Sequence, residues 1–176
     1  MDGHVFELWF FAKLTADGAR CYSVNHEQKL WQAQSVTVLH SRGKIPLHKS
    51  PQWLAPAKSN AGGYDALRVE VSKFEQAGYT QKVAIRFVQV TRSTKPSFSH
   101  EGFSSLLVRL GSTLFNAWFE KIEVYFVVPN HTLSTRGFIT PTDQKYFDQN
   151  VMSPASLADK GTQVAIAVMG VDYEEC

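Results

Sequence analysis

Asp65, Gln89 and Thr91 are the residues of this chain whose types and spacing suit chemistry. They stand in two segments, YDALRVEV at 64–71 and KVAIRFVQVTRSTKP at 82–96, and both segments alternate with the period of a strand. In the first, Asp65 leads the row Leu67, Val69, Val71; in the second, the row Val83, Ile85, Phe87 ends in Gln89 and Thr91. If the two pair as an antiparallel hairpin with Val71 opposite Val83, paired residue numbers keep a constant sum and Asp65 falls opposite Gln89. The three polar groups then converge on one face at one rim of the sheet, above an apolar floor. A carboxylate and an amide oxygen held together are hard oxygen donors. They suit Mg²⁺, which accepts one or two carboxylates and fills its other positions with water and phosphate oxygens. A plainer reading of the same residues stays open: Asp65 ends a turn after Gly62-Gly63, while Gln89 and Thr91 satisfy backbone groups at a strand end. Register decides between them, because a slip of one residue turns the whole row to the other face.

The charge pattern points the same way as the rim. The formal net charge is only +2, too small to announce a polyanion-binding protein, but its distribution is uneven. Between Glu27 and Asp65 the charged residues are Lys29, Arg42, Lys44, Lys49 and Lys58, and between Glu75 and Glu101 they are Lys82, Arg86, Arg92 and Lys95. These basic segments flank the rim in sequence on both sides, where Arg92, Lys44 and Lys49 are candidates for phosphate contacts. The same segments also read as two solvated loops.

The elements that must position these groups follow from periodicity. Residues 4 to about 14 place Val5, Leu8, Trp9 and Ala12 at helical spacing, with Asp17-Gly18 as a stop. CYSV (21–24) and SVTVLHS (35–41) read as short strands, followed by a Pro/Lys/Ser/Gly-rich loop over 42–63. A connection of roughly ten residues around EQAGYTQ joins the two strands of the hairpin. From Ser99 or His100, Phe103, Leu106, Leu107, Leu110 and Leu114 form the stripe of an amphipathic helix, with Ser99 as N-cap. KIEVYFVVP (121–129) is a near-continuous apolar run, hence a buried strand, and QVAIAVMGV (163–171) is a last strand. Residues 130–160 read as loop with a short helix near Asp143 to Phe147. The sum is one α/β domain over 1–176 with a mixed sheet flanked by helices.

Several function classes are set aside. The chain has 176 residues, 44% hydrophobic and 19% charged, enough for a substantial core. Cys21 and Cys176 lie in no metal-binding spacing, which disfavours a disulfide framework or a zinc module and makes an intracellular, reducing compartment the simpler expectation. The opening MDGHVFELWFFAKL carries Asp2 and Glu7 where a signal peptide has a basic start and a clean apolar run. No stretch is long and apolar enough to span a bilayer. The six histidines (4, 26, 40, 48, 100, 131) show no HExxH-like spacing. P-loop and GxSxG patterns are absent.

The runs GGYDALRVEV, VAIRFVQVTRSTKPSFSHEGFSSLLVRL and KIEVYFVVPN, together with GHVFE at residues 3–7, resemble the C-terminal domain shared by Crinkler effectors and kinetoplastid retrotransposon hot spot proteins. That family pattern has a "G-x-x-FE" opening, an Asp-bearing strand, a "QvT" strand, a His/Pro-containing loop, a helix and a strand ending "yFVVP". The resemblance covers 3–8 and 62–130, leaving 131–176 as a C-terminal extension. It implies a divergent restriction-endonuclease-like, PD-(D/E)XK-type fold that binds nucleic acid, DNA before RNA, and hydrolyses it with Mg²⁺ or Mn²⁺. It implies Glu7, Asp65 and Gln89 as metal ligands, with Thr91 closing the "QvT" motif. Gln89 stands where such nucleases usually have a second acid, which removes one negative charge from the metal site. Thr91 stands where a catalytic lysine is usual, and Lys95 would have to compensate. The resemblance also implies a nuclear setting, the cell's own or a host's, and an upstream P-loop ATPase in family members. The alternative is a non-catalytic module that docks on nucleic acid or a host protein.

Overall fold

The apolar run at 121–129 becomes the spine of the molecule. In the computed structural model, which describes residues 3–40, 45, 51–57, 64–76, 78–92, 100–114, 116–135 and 161–173, it forms most of β7 (Ala117–Pro129). The other elements are α1 (Gly3–Ala16), β1 (Ala19–Tyr22), β2 (Gln28–Trp31), β3 (Val36–Leu39), β4 (Gln52–Pro56), β5 (Ala66–Gln76), β6 (Tyr79–Val90), α2 (His100–Thr113), a 3-10 turn (Asn130–Thr135) and β8 (Gln163–Val171). The strands form one mixed sheet of order β2-β1-β8-β7-β6-β5-β4-β3. β7 runs parallel to both β6 and β8. Parallel neighbours require a crossover, and between β6 and β7 that crossover contains α2. No helix among the described residues is long and apolar enough to cross a membrane.

The hairpin register is the expected one. β5 and β6 are antiparallel with Val71 opposite Val83 and Ala66 opposite Val88. The floor of Leu67, Val69, Val83, Ile85 and Phe87 is buried against Phe103, Leu106, Leu107, Leu110 and Leu114 of α2, with Val71 packed partly against it. The connection is much shorter than ten residues. β5 runs on to Gln76, which pairs with Tyr79, and Gly78 supplies the positive φ of 86° that such a tight turn uses. β5 is also buried on both faces at its start, because Ala66 joins the core on the opposite side.

Three further readings are corrected. The buried face of α1 is Phe6, Phe10 and Leu14, whereas Val5 and Leu8 are exposed and so is Ala12. α1 is apolar on nearly every side, so periodicity fitted two stripes, and the larger aromatic area went inward. The strand expected at 21–24 is shifted to Ala19–Tyr22, and β2 was not expected. β4 lies inside the stretch read as loop: its two prolines bracket QWLA, with Pro51 before the strand and Pro56 as its last residue, positions a sheet tolerates. The Ser99 cap and the short helix near 143–147 lie outside the described residues.

The turn between α1 and β1 is held by close backbone contact. Gly18 has φ of +81°, and a Cβ placed there would meet the Trp31 carbonyl oxygen at 2.4 Å and the Ala33 nitrogen at 2.8 Å. Neither neighbour can rotate away as a side chain would. Gly18→Ala is therefore expected to cost about 2–3 kcal/mol from the left-handed conformation and overpacking together, read as a lower midpoint in urea at an unchanged slope.

Candidate functional site

β5 is preceded by Asp65, whose peptide and side chain both grip the end of β6. The Asp65 N–H donates to the Val88 carbonyl at 2.8 Å, and the Val90 N–H donates to Asp65 Oδ2 at 2.6 Å. The bond from Val90 exists because β5 stops one residue short there, so the carboxylate takes the place of a strand carbonyl. Asp65 is 8% exposed. Burial pushes its pKa up from 3.8 to about 7; the Val90 bond opposes this, and the nearby charge of Glu7 pushes it further up.

The charge of Glu7, remote in sequence, is thus felt at Asp65 as the smallest of these three influences. Glu7 sits beside buried Phe6 on α1, which packs against Val88 and Val90 of β6. Its side chain is 20% exposed and lies 3.7 Å from His4 Nδ1, one helical turn back. Arg92 lies at the same end: its guanidinium is 5.9 Å from the ring centroid of Tyr173, and that ring packs on Phe6 at 4.9 Å and Trp9 at 4.8 Å. The strand alternation that puts Val88 and Val90 under α1 puts Arg92 on that face too.

Gln89 occupies the other row. It pairs with Phe126, follows Val83, Ile85 and Phe87, and therefore belongs to the face covered by α2, while Glu7 approaches from the face covered by α1. Its Oε1 is buried. Thr91 follows at the strand end, where its N–H donates to the Val127 carbonyl at 2.8 Å. Glu7 thus lies within electrostatic reach of Asp65, Arg92 stands over Tyr173 on the α1 face, and Gln89 belongs to the opposite row. Lys95, Lys44 and Lys49 lie outside the described residues. Among the described residues no group of three or more His, Cys, Asp or Glu side chains is placed to hold a metal ion.

A second polar cluster lies on the α1 face of the sheet, and sequence reasoning passed over it. Glu123 is 4% exposed in the middle of β7. Arg86 donates to its Oε2 at 2.9 Å, Lys121 lies 2.8 Å from Oε1, and the Tyr125 hydroxyl donates to Oε1 at 2.7 Å. Burial alone would raise the Glu123 pKa, but Lys121, Arg86 and Tyr125 together outweigh it and hold the carboxyl below the usual range. Burial and then Glu123 push Tyr125 upward, and Lys29 donates to its hydroxyl at 3.0 Å. Arg86 also lies 4.8 Å from the ring centroid of Trp31, which stacks on Tyr125. The available signal was Glu123 itself, since a carboxylate within an apolar strand run is seldom buried without partners. Comparison of the chain with protein-family models, with curated proteins and with solved structures finds no match in any of the three.

Proposed function

We propose that this chain is a nucleic-acid-binding domain of the restriction-endonuclease-like type, resembling that of Crinkler and retrotransposon hot spot proteins, and that it hydrolyses phosphodiesters with a divalent cation. The observation that carries the reading is the buried carboxyl of Asp65 at the end of the hairpin, within electrostatic reach of Glu7. Two carboxylates in a half-buried site repel unless a proton or a cation sits between them. Glu7 and Asp65 supply hard oxygen donors of the kind that suit Mg²⁺ or Mn²⁺, while Gln89 belongs to the row facing α2, and a set with so little charge relies on water and phosphate to complete it. The order of elements supports the same reading: the Asp-bearing strand, the "QvT" strand and the strand ending FVVP are adjacent as β5, β6 and β7, with α2 between the last two in sequence.

When bound, the cation would polarise the phosphate and lower the pKa of the attacking water. The chain's own groups do the rest. Asp65, with a pKa near 7, must give up a proton to admit the cation, so binding strengthens as pH rises through neutrality. Arg92 is a candidate for phosphate contact, and Lys95, outside the described residues, stays the candidate for charge stabilisation. DNA is the first substrate and RNA the second, in the nucleus of the parent or a host cell.

Duplex and single-stranded DNA, and RNA, incubated with Mg²⁺ or Mn²⁺ should be cleaved by the wild-type protein, with Asp65→Ala slower by at least about 10²-fold. Equal cleavage by both proteins removes the catalytic role. One observation favours a second reading. The bond from the Val90 N–H to Asp65 Oδ2 is what a strand-end cap alone would make, and on that reading the domain docks on nucleic acid without cutting it. Retention would then weaken with salt and be indifferent to metal.

A further inference from the structure

On the α1 face, beyond the aromatic cluster, the sheet carries a transverse row in which Trp53 pairs with Arg68, Arg68 with Arg86, and Arg86 with Glu123. Two arginines directly opposite each other on neighbouring antiparallel strands repel. They nevertheless share one cavity of about 480 Å³, whose lining includes Trp31, Gln32, Gln34 and Trp53. Arg86 is balanced by buried Glu123 at 2.9 Å. Among the described residues Arg68 is partnered by half-exposed Glu70 at 2.9 Å, with 51% of its side chain exposed, and such a pair is worth little in water. With Lys121 on Glu123 and Lys29 on Tyr125, four cations face two carboxylates among these described residues, an excess of positive charge. Trp31 lines the same cavity, and its buried indole N–H has no acceptor among the described residues, although indole is a donor that burial normally pairs.

We infer that this cavity is an oxyanion site of the phosphate class. Arg68 is its gating cation, exchanging Glu70 for the ligand, and Arg86 is a fixed second charge held in place by Glu123. Guanidinium forks match phosphate oxygens in pairs, and Gln32 and Gln34 line the wall, the Gln34 amide donating to the Pro51 carbonyl. The two indoles are covered by each other and by Tyr125, with ring centroids 5.6 and 5.8 Å apart, so they shape the cavity and do not offer a face for a base to stack on. The inference stands whether or not Glu7 and Asp65 hold a cation.

Inorganic phosphate titrated against chloride at matched ionic strength, with tryptophan fluorescence and melting temperature as readouts, tests it. Phosphate should bind the wild type, bind Arg68→Gln roughly tenfold more weakly, and bind Glu70→Gln more tightly, because its competitor is gone. Glu70→Gln leaves both arginines in place, so it keeps the test decisive should Arg68→Gln unfold. Phosphate acting no better than chloride, or Glu70→Gln failing to tighten it, overturns the site. A short single-stranded oligonucleotide with EDTA present names the source. Weakening by Arg68→Gln in this arm assigns the site to a nucleic-acid backbone, and a response confined to inorganic phosphate assigns it to a free anion.

Discussion

Glu123→Leu is expected to destabilise the protein by about 3–5 kcal/mol, the usual result of removing one partner from a buried ion pair. For a chain of this size that lowers the melting temperature by roughly 10 °C. The cost arises from what is left behind. Arg86, whose side chain is 18% exposed, loses its counter-charge while still pressed against Trp31 and Tyr125, and the Tyr125 hydroxyl loses its acceptor. Lys121 is 40% exposed and can turn to water, so it adds little to the loss. The double variant Glu123→Leu/Arg86→Met should recover most of the stability, because an apolar pair of similar volume replaces a desolvated ionic one. The wild-type acid limb should change as well. Glu123 has its folded pKa held below 4.5, so its contribution is present above the unfolded pKa and is lost as pH falls through the folded value. Urea midpoints for the single and double variants between pH 3 and 7 measure both effects, and a single variant as stable as wild type would contradict the account.

Asp65→Asn should do the reverse above neutrality and stabilise the fold. The folded pKa of Asp65, about 7, lies above its ordinary 3.8. Between those values the folded state holds a proton that the unfolded state has released, so stability falls as pH rises through this window. The total is up to about 4 kcal/mol. Asparagine keeps an oxygen for the Val90 N–H and removes the charge that burial and Glu7 disfavour. The difference in melting temperature between variant and wild type should therefore be near zero at pH 4, grow with pH, and level off above about 7.5 at roughly 10 °C. An offset that does not change with pH would mean that the carboxylate is not the source. The same variant should lose any response to Mg²⁺ or Mn²⁺. A residue whose replacement stabilises the fold while abolishing its ligand is kept for function and not for stability.

What was legible in the sequence was what one face or one register decides. The α2 stripe, the hairpin pairing and the bounds of β8 could be read because each has an unambiguous buried side. The α1 face could not, because Phe6, Trp9, Phe10 and Phe11 surround the helix and only the packed sheet selects among them. β2 escaped because a strand such as QKLW buries little more than Trp31 and offers almost no alternation. β4 escaped because its prolines resemble loop punctuation. For the site, pattern placed Asp65 and Gln89 at the hairpin ends and resemblance pointed to Glu7; the paired register itself ends with Ala66 opposite Val88. Neither could show that Gln89 belongs to the face opposite α1, since the side that a helix covers is settled by contacts far along the chain. The Arg86–Glu123 pairing was hidden for a related reason: parallel partners are joined through a crossover whose length does not set their register.

The pairing of β1 with β8, Cys21 opposite Val171, and the packing of Tyr173 on Phe6 and Trp9 give the molecule an order of assembly. During synthesis the early helix emerges well before the strand that completes its seat, and it must wait on the ribosome-bound chain with its aromatic side chains uncovered. Removal of that strand would therefore uncover Cys21 on β1 and the aromatic side chains of α1 that Tyr173 covers.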